Sequence, residues 1–142
     1  MIIKSLELAD FRNYENLQLD FDKGTTILFG DNAQGKTNIL EAIYLSSTTK
    51  SHKGAKDQDM IRFGCEEGHI RTYIEKEMCE YKVDMHLRRS KSKGIAINNE
   101  KIKKASQLLG LLNVVFFSPE DLSIIKNGPS ERRRFVDMEL CQ

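Results

Sequence analysis

Residues 25–45 read Thr-Thr-Ile-Leu-Phe-Gly-Asp-Asn-Ala-Gln-Gly-Lys-Thr-Asn-Ile-Leu-Glu-Ala-Ile-Tyr-Leu. Their centre, Gly30-Asp31-Asn32-Ala33-Gln34-Gly35-Lys36-Thr37, satisfies the phosphate-loop pattern G-x-x-x-x-G-K-[ST]. An apolar run (Thr25 to Phe29) precedes it and a second one (Asn38 to Leu45) follows, which is the strand–loop–helix setting the pattern requires. Gly30 lets the chain turn sharply out of a strand, and Gly35 lets backbone approach a phosphate closely. The amides of Gln34 to Thr37 converge at the positive end of the helix that starts there. Lys36 reaches the β- and γ-phosphates of a nucleotide, and the Thr37 hydroxyl can ligate Mg²⁺. Asn32 and Gln34 shape the loop. Asn38 supports the Mg²⁺ or phosphate shell, with simple helix packing as the alternative.

Working outward, Ile2 to Phe11 reads as a strand with Leu6 and Leu8 on one face, and Leu17, Leu19 and Phe21 mark a second half-buried strand. Thr25 to Phe29 is apolar on both faces, as a central strand would be. The helix over 35–47 carries apolar residues around most of its circumference, so burial between layers is expected. Ser46 to Asp59 is polar and aperiodic and reads as a mobile loop, followed by a short helix near Met60. Ile70, Thr72 and Ile74, then Tyr81, Val83, Met85 and Leu87, alternate as an antiparallel pair joined around Lys76 to Glu80. Ile95, Ile97, Asn98-Asn99 and Ile102 predict a small hairpin, since Asn tolerates φ > 0. Ala105 to Leu111 reads as a short helix and Asn113 to Phe117 as an apolar strand. Ser118-Pro119 caps a short helix through Ile125, and a last helix runs from Pro129 to about Cys141. The fold class is α/β: a nucleotide-binding half with a largely antiparallel β-layer inserted after its first helix.

The chain has 142 residues, about one domain. Charged residues are 30% and the net charge is +1, so any polyanion site must be a local patch. Basic residues gather at Lys50/Lys53/Lys56, Arg88/Arg89/Lys91/Lys93 and Lys101/Lys103/Lys104. Each reads as a solvated face or as a contact to a nucleic-acid backbone; no interleaved aromatics favour base stacking there. No apolar run approaches a membrane span and the N-terminus lacks a signal-peptide layout, so no membrane partner and a cytoplasmic location are expected. The three scattered cysteines (Cys65, Cys79, Cys141) fit a reducing compartment.

Four stretches together carry a family resemblance. They are Gly30 to Tyr44, Phe11-Arg12-Asn13-Tyr14, Ser51-His52-Lys53, and Ser118-Pro119-Glu120-Asp121-Leu122 leading into Gly128-Pro129-Ser130-Glu131-Arg132-Arg133-Arg134-Phe135-Val136-Asp137. The chain resembles the RecF family of bacterial DNA replication and repair proteins, within the ABC-type, SMC-like ATPases. The resemblance covers the whole chain. It implies a P-loop NTPase of ABC-ATPase head type, with residues 1–142 as its N-terminal lobe (lobe I). It implies ATP and Mg²⁺ as cofactors, nucleotide contacts from Arg12 and Asn13 (a surface turn being the alternative), and an ATP-dependent homodimer. It further implies DNA as partner, at gaps or single-strand/double-strand junctions, with the mediators RecO and RecR.

Two departures stand out: Asn127 replaces a small residue or Gly, and Lys53 replaces the usual Arg, weakening any fork-shaped contact. The family is longer than this chain. Val114 to Phe117 is followed by Ser118 rather than Asp, a poor Walker B, so the Walker B strand and the signature segment are expected outside the chain. The complete protein then resembles a weak DNA-dependent ATPase, while this chain alone is expected to be inactive. One rival is a phosphoryl-transfer kinase using Glu120 or Asp121 as metal ligand and Arg132 to Arg134 as lid arginines. The other is a DNA-contact module whose nucleotide site is structural. Gly128 to Asp137 reads as an organising helix, with Phe135 and Met138 on an inward face.

Overall fold

The computed structural model describes residues 1–118 and 128–140. Six strands form one antiparallel sheet in the order β2-β1-β3-β4-β5-β6. They are β1 (Ile2–Phe11), β2 (Tyr14–Asp20), β3 (Glu67–Lys76), β4 (Cys79–Arg88), β5 (Gly94–Ile97) and β6 (Glu100–Lys101). The period-two alternation puts Leu6 and Leu8 of β1, Ile70, Thr72 and Ile74 of β3, and Val83, Met85 and Leu87 of β4 on one buried face. Helix α1 (Lys36–Thr48) lies on that face and inserts Ile39, Ala42 and Leu45 into the same core. The other face is a charged lattice. Arg71 Nε donates to Asp84 Oδ1 at 2.6 Å and Arg71 reaches Glu7 at 3.3 Å, so neighbouring strands are cross-linked by opposite charges.

The antiparallel layer is not an insertion after the first helix. β1 pairs with both β2 and β3, so the layer begins before the phosphate loop and resumes after α1. The β3–β4 hairpin turns through Glu77 and Met78, both at positive φ (51° and 64°), and the β5–β6 hairpin through Asn98 and Asn99 (51° and 70°). The second pair suits its turn chemically; the first does not.

Two expected strands do not form among the described residues. Thr25 to Phe29 has no regular secondary structure and no sheet partner among the described residues, with Ile27 and Phe29 exposed. The same holds for Asn113 to Phe117, with Val115 and Phe117 exposed and Val114 and Phe116 turned inward. A strand apolar on both faces is stable only between neighbouring strands, and among the described residues none lies beside either segment. Phe116 is nevertheless held by rings: its centroid is 4.3 Å from His52 and 5.5 Å from Tyr44.

The open loop expected over 46–59 is corrected in its first part, where α1 continues to Thr48. Ser46, Ser47, Thr49 and Ser51 are buried. The three buried serines are each hydrogen-bonded, as buried hydroxyls generally are. Ser46 Oγ bonds Ala42 O (2.9 Å) and Thr72 Oγ1 (2.8 Å), and Ser47 Oγ donates to the Leu112 carbonyl. Only a short 3₁₀ turn at Asp57–Met60 follows. A second 3₁₀ turn, Ala105–Gln107, replaces the helix expected over 105–111. Helix α2 (Pro129–Leu140) forms as expected, and Arg133 Nε donates back to the Pro129 carbonyl at 3.4 Å. The helix expected after Ser118-Pro119, the residues Glu120, Asp121 and Asn127, and the inward packing of Phe135 and Met138 lie outside the described residues. Among the described residues, no helix is long and apolar enough to cross a membrane.

Candidate nucleotide site

The phosphate loop connects the segment ending at Phe29 to α1. Its two motif glycines sit in the left-handed half of backbone space, Gly30 at φ 141° and Gly35 at φ 101°. Gly35 is the N-cap of α1, so the thirteen-residue helix starts with no side-chain cap on its first amides. Such an end attracts an anion through both its unpaired N–H groups and its dipole.

Lys36 Nζ donates to the carbonyls of Gly30 (2.7 Å) and Asp31, folding back across the loop. Among the described residues the ammonium is therefore held by neutral acceptors rather than by a carboxylate. A cation without a counter-ion beside an uncapped helix N-terminus is a donor set that fits a polyphosphate. Asn32 to Asn38 line a cleft of about 280 Å³, and Lys53 closes it from the segment after α1. Thr37 is exposed and lines this cleft. Asn32, Ala33, Gln34, Gly35, Lys36 and Thr37 thus line the cleft, and Gly30 and Asp31 join the loop through the Lys36 ammonium that their carbonyls hold.

The β1–β2 turn grips this loop from the side. Asn13 Nδ2 donates to Gln34 O (3.2 Å) and Asn13 Oδ1 accepts from Asn38 Nδ2 (2.8 Å). Tyr14 Oη donates to the same Gln34 carbonyl at 3.4 Å, and burial pushes its phenol up. The fit is tight: a Cβ at Gly35 would lie 2.7 Å from Asn13 Nδ2, Asn13 Oδ1 and Tyr14 Oη. Gly35 is required by its backbone angle and by this contact together.

Arg12 holds the turn in place. It adopts φ 55°, unusual for a non-glycine residue, and its backbone N–H donates to Met60 O at 2.8 Å. Its guanidinium forks onto Glu41, Nε to Oε2 and NH2 to Oε1 at 2.8 Å each, while NH1 donates to Asp59 O at 2.9 Å. Glu41 sits in the middle of α1 with no exposed surface and also accepts from Ser51 Oγ. Burial pushes the Glu41 carboxyl up, but the hydrogen bonds from Arg12 and Ser51, together with the Arg12 charge, more than offset it and hold the group below the usual carboxylate range.

Sequence reasoning placed Arg12, Asn13 and Asn38 near the loop, and the structure brings all three together. It missed Glu41, Ser51 and Tyr14. The signal for Glu41 was present: a carboxylate inside the apolar run Ile39 to Leu45 has to meet a cation when the helix is buried. The basic clusters divide. Lys93 is spent internally, on Thr49 O and on Asp57 Oδ1 (2.8 Å), and Arg89 Nε donates to Cys65 O (2.7 Å). Lys50, Lys53, Lys56, Lys101, Lys103 and Lys104 are exposed.

A family model described as "AAA domain" matches residues 5–141. The DNA replication and repair protein RecF of Agathobacter rectalis is 69% identical over 142 residues, covering 100% of this chain and 39% of that protein. A solved structure of the recombination mediator protein RecF bound as RecF-ATPrS, in the RecFOR pathway, superposes with a TM-score of 0.92 at 35% identity, over 99% of this chain and 38% of the other. The corresponding RecF-ATP structure gives 0.90 at 36% identity, over 96% and 38%. The chain thus spans about two fifths of the length of the relatives it matches. The antiparallel sheet, the loop and α1 are the ATPase-head fold of those structures. The chain belongs to the AAA domain family, and along its whole length it is similar to the N-terminal portion of RecF.

Proposed function

We propose that this chain is the ATP-binding N-terminal lobe of a RecF-like DNA replication and repair protein. The observation that carries the reading is the clipped phosphate loop: an uncapped helix N-terminus, a lysine resting on neutral carbonyls, and a β1–β2 turn locked onto the loop by Asn13 and Tyr14 and anchored to α1 by Arg12. In this reading ATP is the cofactor, its polyphosphate received by Gly30 to Thr37. Lys36 leaves its two carbonyls for the β- and γ-phosphates. The Thr37 hydroxyl takes the Mg²⁺ ligand position, with Asn38 supporting it, and Arg12 and Asn13 form the side wall facing the nucleotide. Bound ATP supplies the charge that completes the site.

The complete protein is proposed to close with ATP into a homodimer on DNA at gaps or junctions, to act with RecO and RecR, and to work in the cytoplasm. The exposed lysines are the residues available for a phosphate backbone; contacts of that kind release counterions and are salt-sensitive, and a net charge of +1 makes the site a local patch. Calorimetric titration of ATP with Mg²⁺ tests the nucleotide reading. Saturable binding lost in Lys36→Ala is expected, with no turnover by this chain alone. Equal binding by the two proteins removes the reading, and turnover near 1 s⁻¹ that depends on Lys36 would replace it with the kinase.

A further inference from the structure

Lys53 meets the phosphate cleft from a stretch that forms neither helix nor strand, residues 49–56, between α1 and the 3₁₀ turn at Asp57–Met60. The stretch is nevertheless tied along its length. Ser51 to Gly54 is a β-turn closed by a Gly54 N–H to Ser51 O bond of 3.1 Å, with Gly54 at φ 70°. The Lys53 N–H donates to Ser51 Oγ at 3.1 Å, and that hydroxyl donates in turn to Glu41. One serine thus anchors the middle of the stretch to α1.

The two ends are joined by Lys93, which stands just ahead of β5. Its Nζ donates to the Thr49 carbonyl, where the stretch begins, and to Asp57 Oδ1 at 2.8 Å, just past where it ends. A single ammonium therefore closes the base of a loop that carries Lys53. The Lys93 and Asp57 side chains are 20% and 33% exposed, and an ion pair that water can reach contributes little to stability. Its effect is geometric, because it keeps the two ends of the loop from parting. Lys53 depends on that geometry. An ammonium has no fork with which to set its own angle against a phosphate, so its placement falls to the backbone beneath it.

We propose that Lys93 is a positioning residue for the nucleotide site: it clasps the loop over 49–57 and thereby holds Lys53 against the polyphosphate. The proposal rests on the phosphate-loop reading above. Lys93 itself does not line the cleft. Without the clasp Lys53 keeps its charge, but the loop has to be ordered when the ligand arrives, and that ordering weakens binding.

The test is calorimetric titration with ATP and Mg²⁺. Lys53→Met is expected to weaken ATP about tenfold, and Lys93→Met about threefold to tenfold. The double variant is expected to bind as Lys53→Met does, since nothing is left to position. A clasp that merely supported the fold would weaken ATP in both backgrounds. Asp57→Asn removes the charge and leaves Lys93 its carbonyl partner, so it should show part of the same loss, again absent beside Lys53→Met, even where Lys93→Met fails to fold by circular dichroism. Lys93→Arg keeps a donor for both acceptors and should recover most of the affinity. If Lys93→Met or Asp57→Asn binds ATP as the parent does, or if the losses multiply in the double variant, while Lys36→Ala loses ATP, the clasp is overturned and the phosphate-loop reading stands. If Lys36→Ala retains ATP, the phosphate-loop reading fails and the clasp falls with it.

Discussion

Glu41 and Arg12 lie 29 residues apart in the chain and meet through two hydrogen bonds of 2.8 Å each. The carboxylate belongs to the helix that opens at the phosphate loop, and the guanidinium belongs to the turn that grips the loop from the side. One ion pair therefore sets the distance between the two halves of the site. It is deeply placed: the Glu41 side chain is fully covered and that of Arg12 is 21% exposed.

Removing one partner should cost more than the pair contributes. Glu41→Ala leaves a largely covered guanidinium without its counter-ion and Ser51 Oγ without its acceptor, and a loss of about 3–5 kcal/mol in unfolding free energy is expected. Glu41→Gln keeps an acceptor for one arm of the fork and should lose less. Urea denaturation monitored by circular dichroism measures both; a loss under 1 kcal/mol for Glu41→Ala would remove the pair from its organising role.

The same carboxylate predicts an acid limb. Its folded pKa is depressed, so its contribution is fully present above the ordinary glutamate value, near ~4.3, and is lost as pH falls through the folded value below it. Stability measured from pH 6 to pH 3 should fall more steeply for the parent than for Glu41→Gln, in which that proton has nowhere to bind.

Lys36→Ala should weaken ATP about tenfold to 150-fold, the effect of one charge-assisted contact of ~1.5–3 kcal/mol. Folding should be little affected, because the ammonium bonds only loop carbonyls. Isothermal calorimetry for affinity and thermal melting for stability separate the two effects.

Gly35→Ala should damage the site in two separable ways. The new methyl collides with Asn13 and Tyr14, and φ 101° is strained for any side chain. Adding Asn13→Ala should relieve part of the first cost and none of the second. Nucleotide affinity of the double variant should lie between that of Gly35→Ala and the parent; full recovery would mean that the backbone angle carries no cost.

The β3–β4 turn offers a stabilising change. Met78 is 99% exposed at φ 64°, where glycine pays no steric penalty. Met78→Gly should raise the unfolding free energy by about 1 kcal/mol, read as a shift in urea midpoint without a change in slope.

Legibility followed the range of the interactions involved. The phosphate loop, α1 and the long alternating strands are encoded within a few residues, by glycine placement and by period-two patterning, and these emerged as expected. Thr25 to Phe29 and Asn113 to Phe117 carry equally strong local patterns, but a strand exists only with a partner, and no local pattern reports whether one is present. Ser46 to Ser51 failed in the opposite direction. Its polarity reads as solvent exposure until Thr72, Leu112 and Glu41 are seen to pair with the hydroxyls of Ser46, Ser47 and Ser51. Arg12 was legible as a site residue only through resemblance, since its partner is a carboxylate whose burial depends on how α1 lies on the sheet.

β1 has two occupations. It is hydrogen-bonded on both edges, to β2 and to β3, and its end carries the turn that clamps Gln34 and Asn38. Ligand tightening that clamp cannot be felt by the loop alone. Saturation with nucleotide should slow hydrogen exchange along Leu6 to Phe11 and across into Ile70 and Thr72, well away from any phosphate, by the factor that mass action assigns to the ligand concentration. The sheet thus becomes a gauge of occupancy: whatever docks on its far strands and whatever fills the loop share one free-energy reservoir, and each is expected to sense the other through β1.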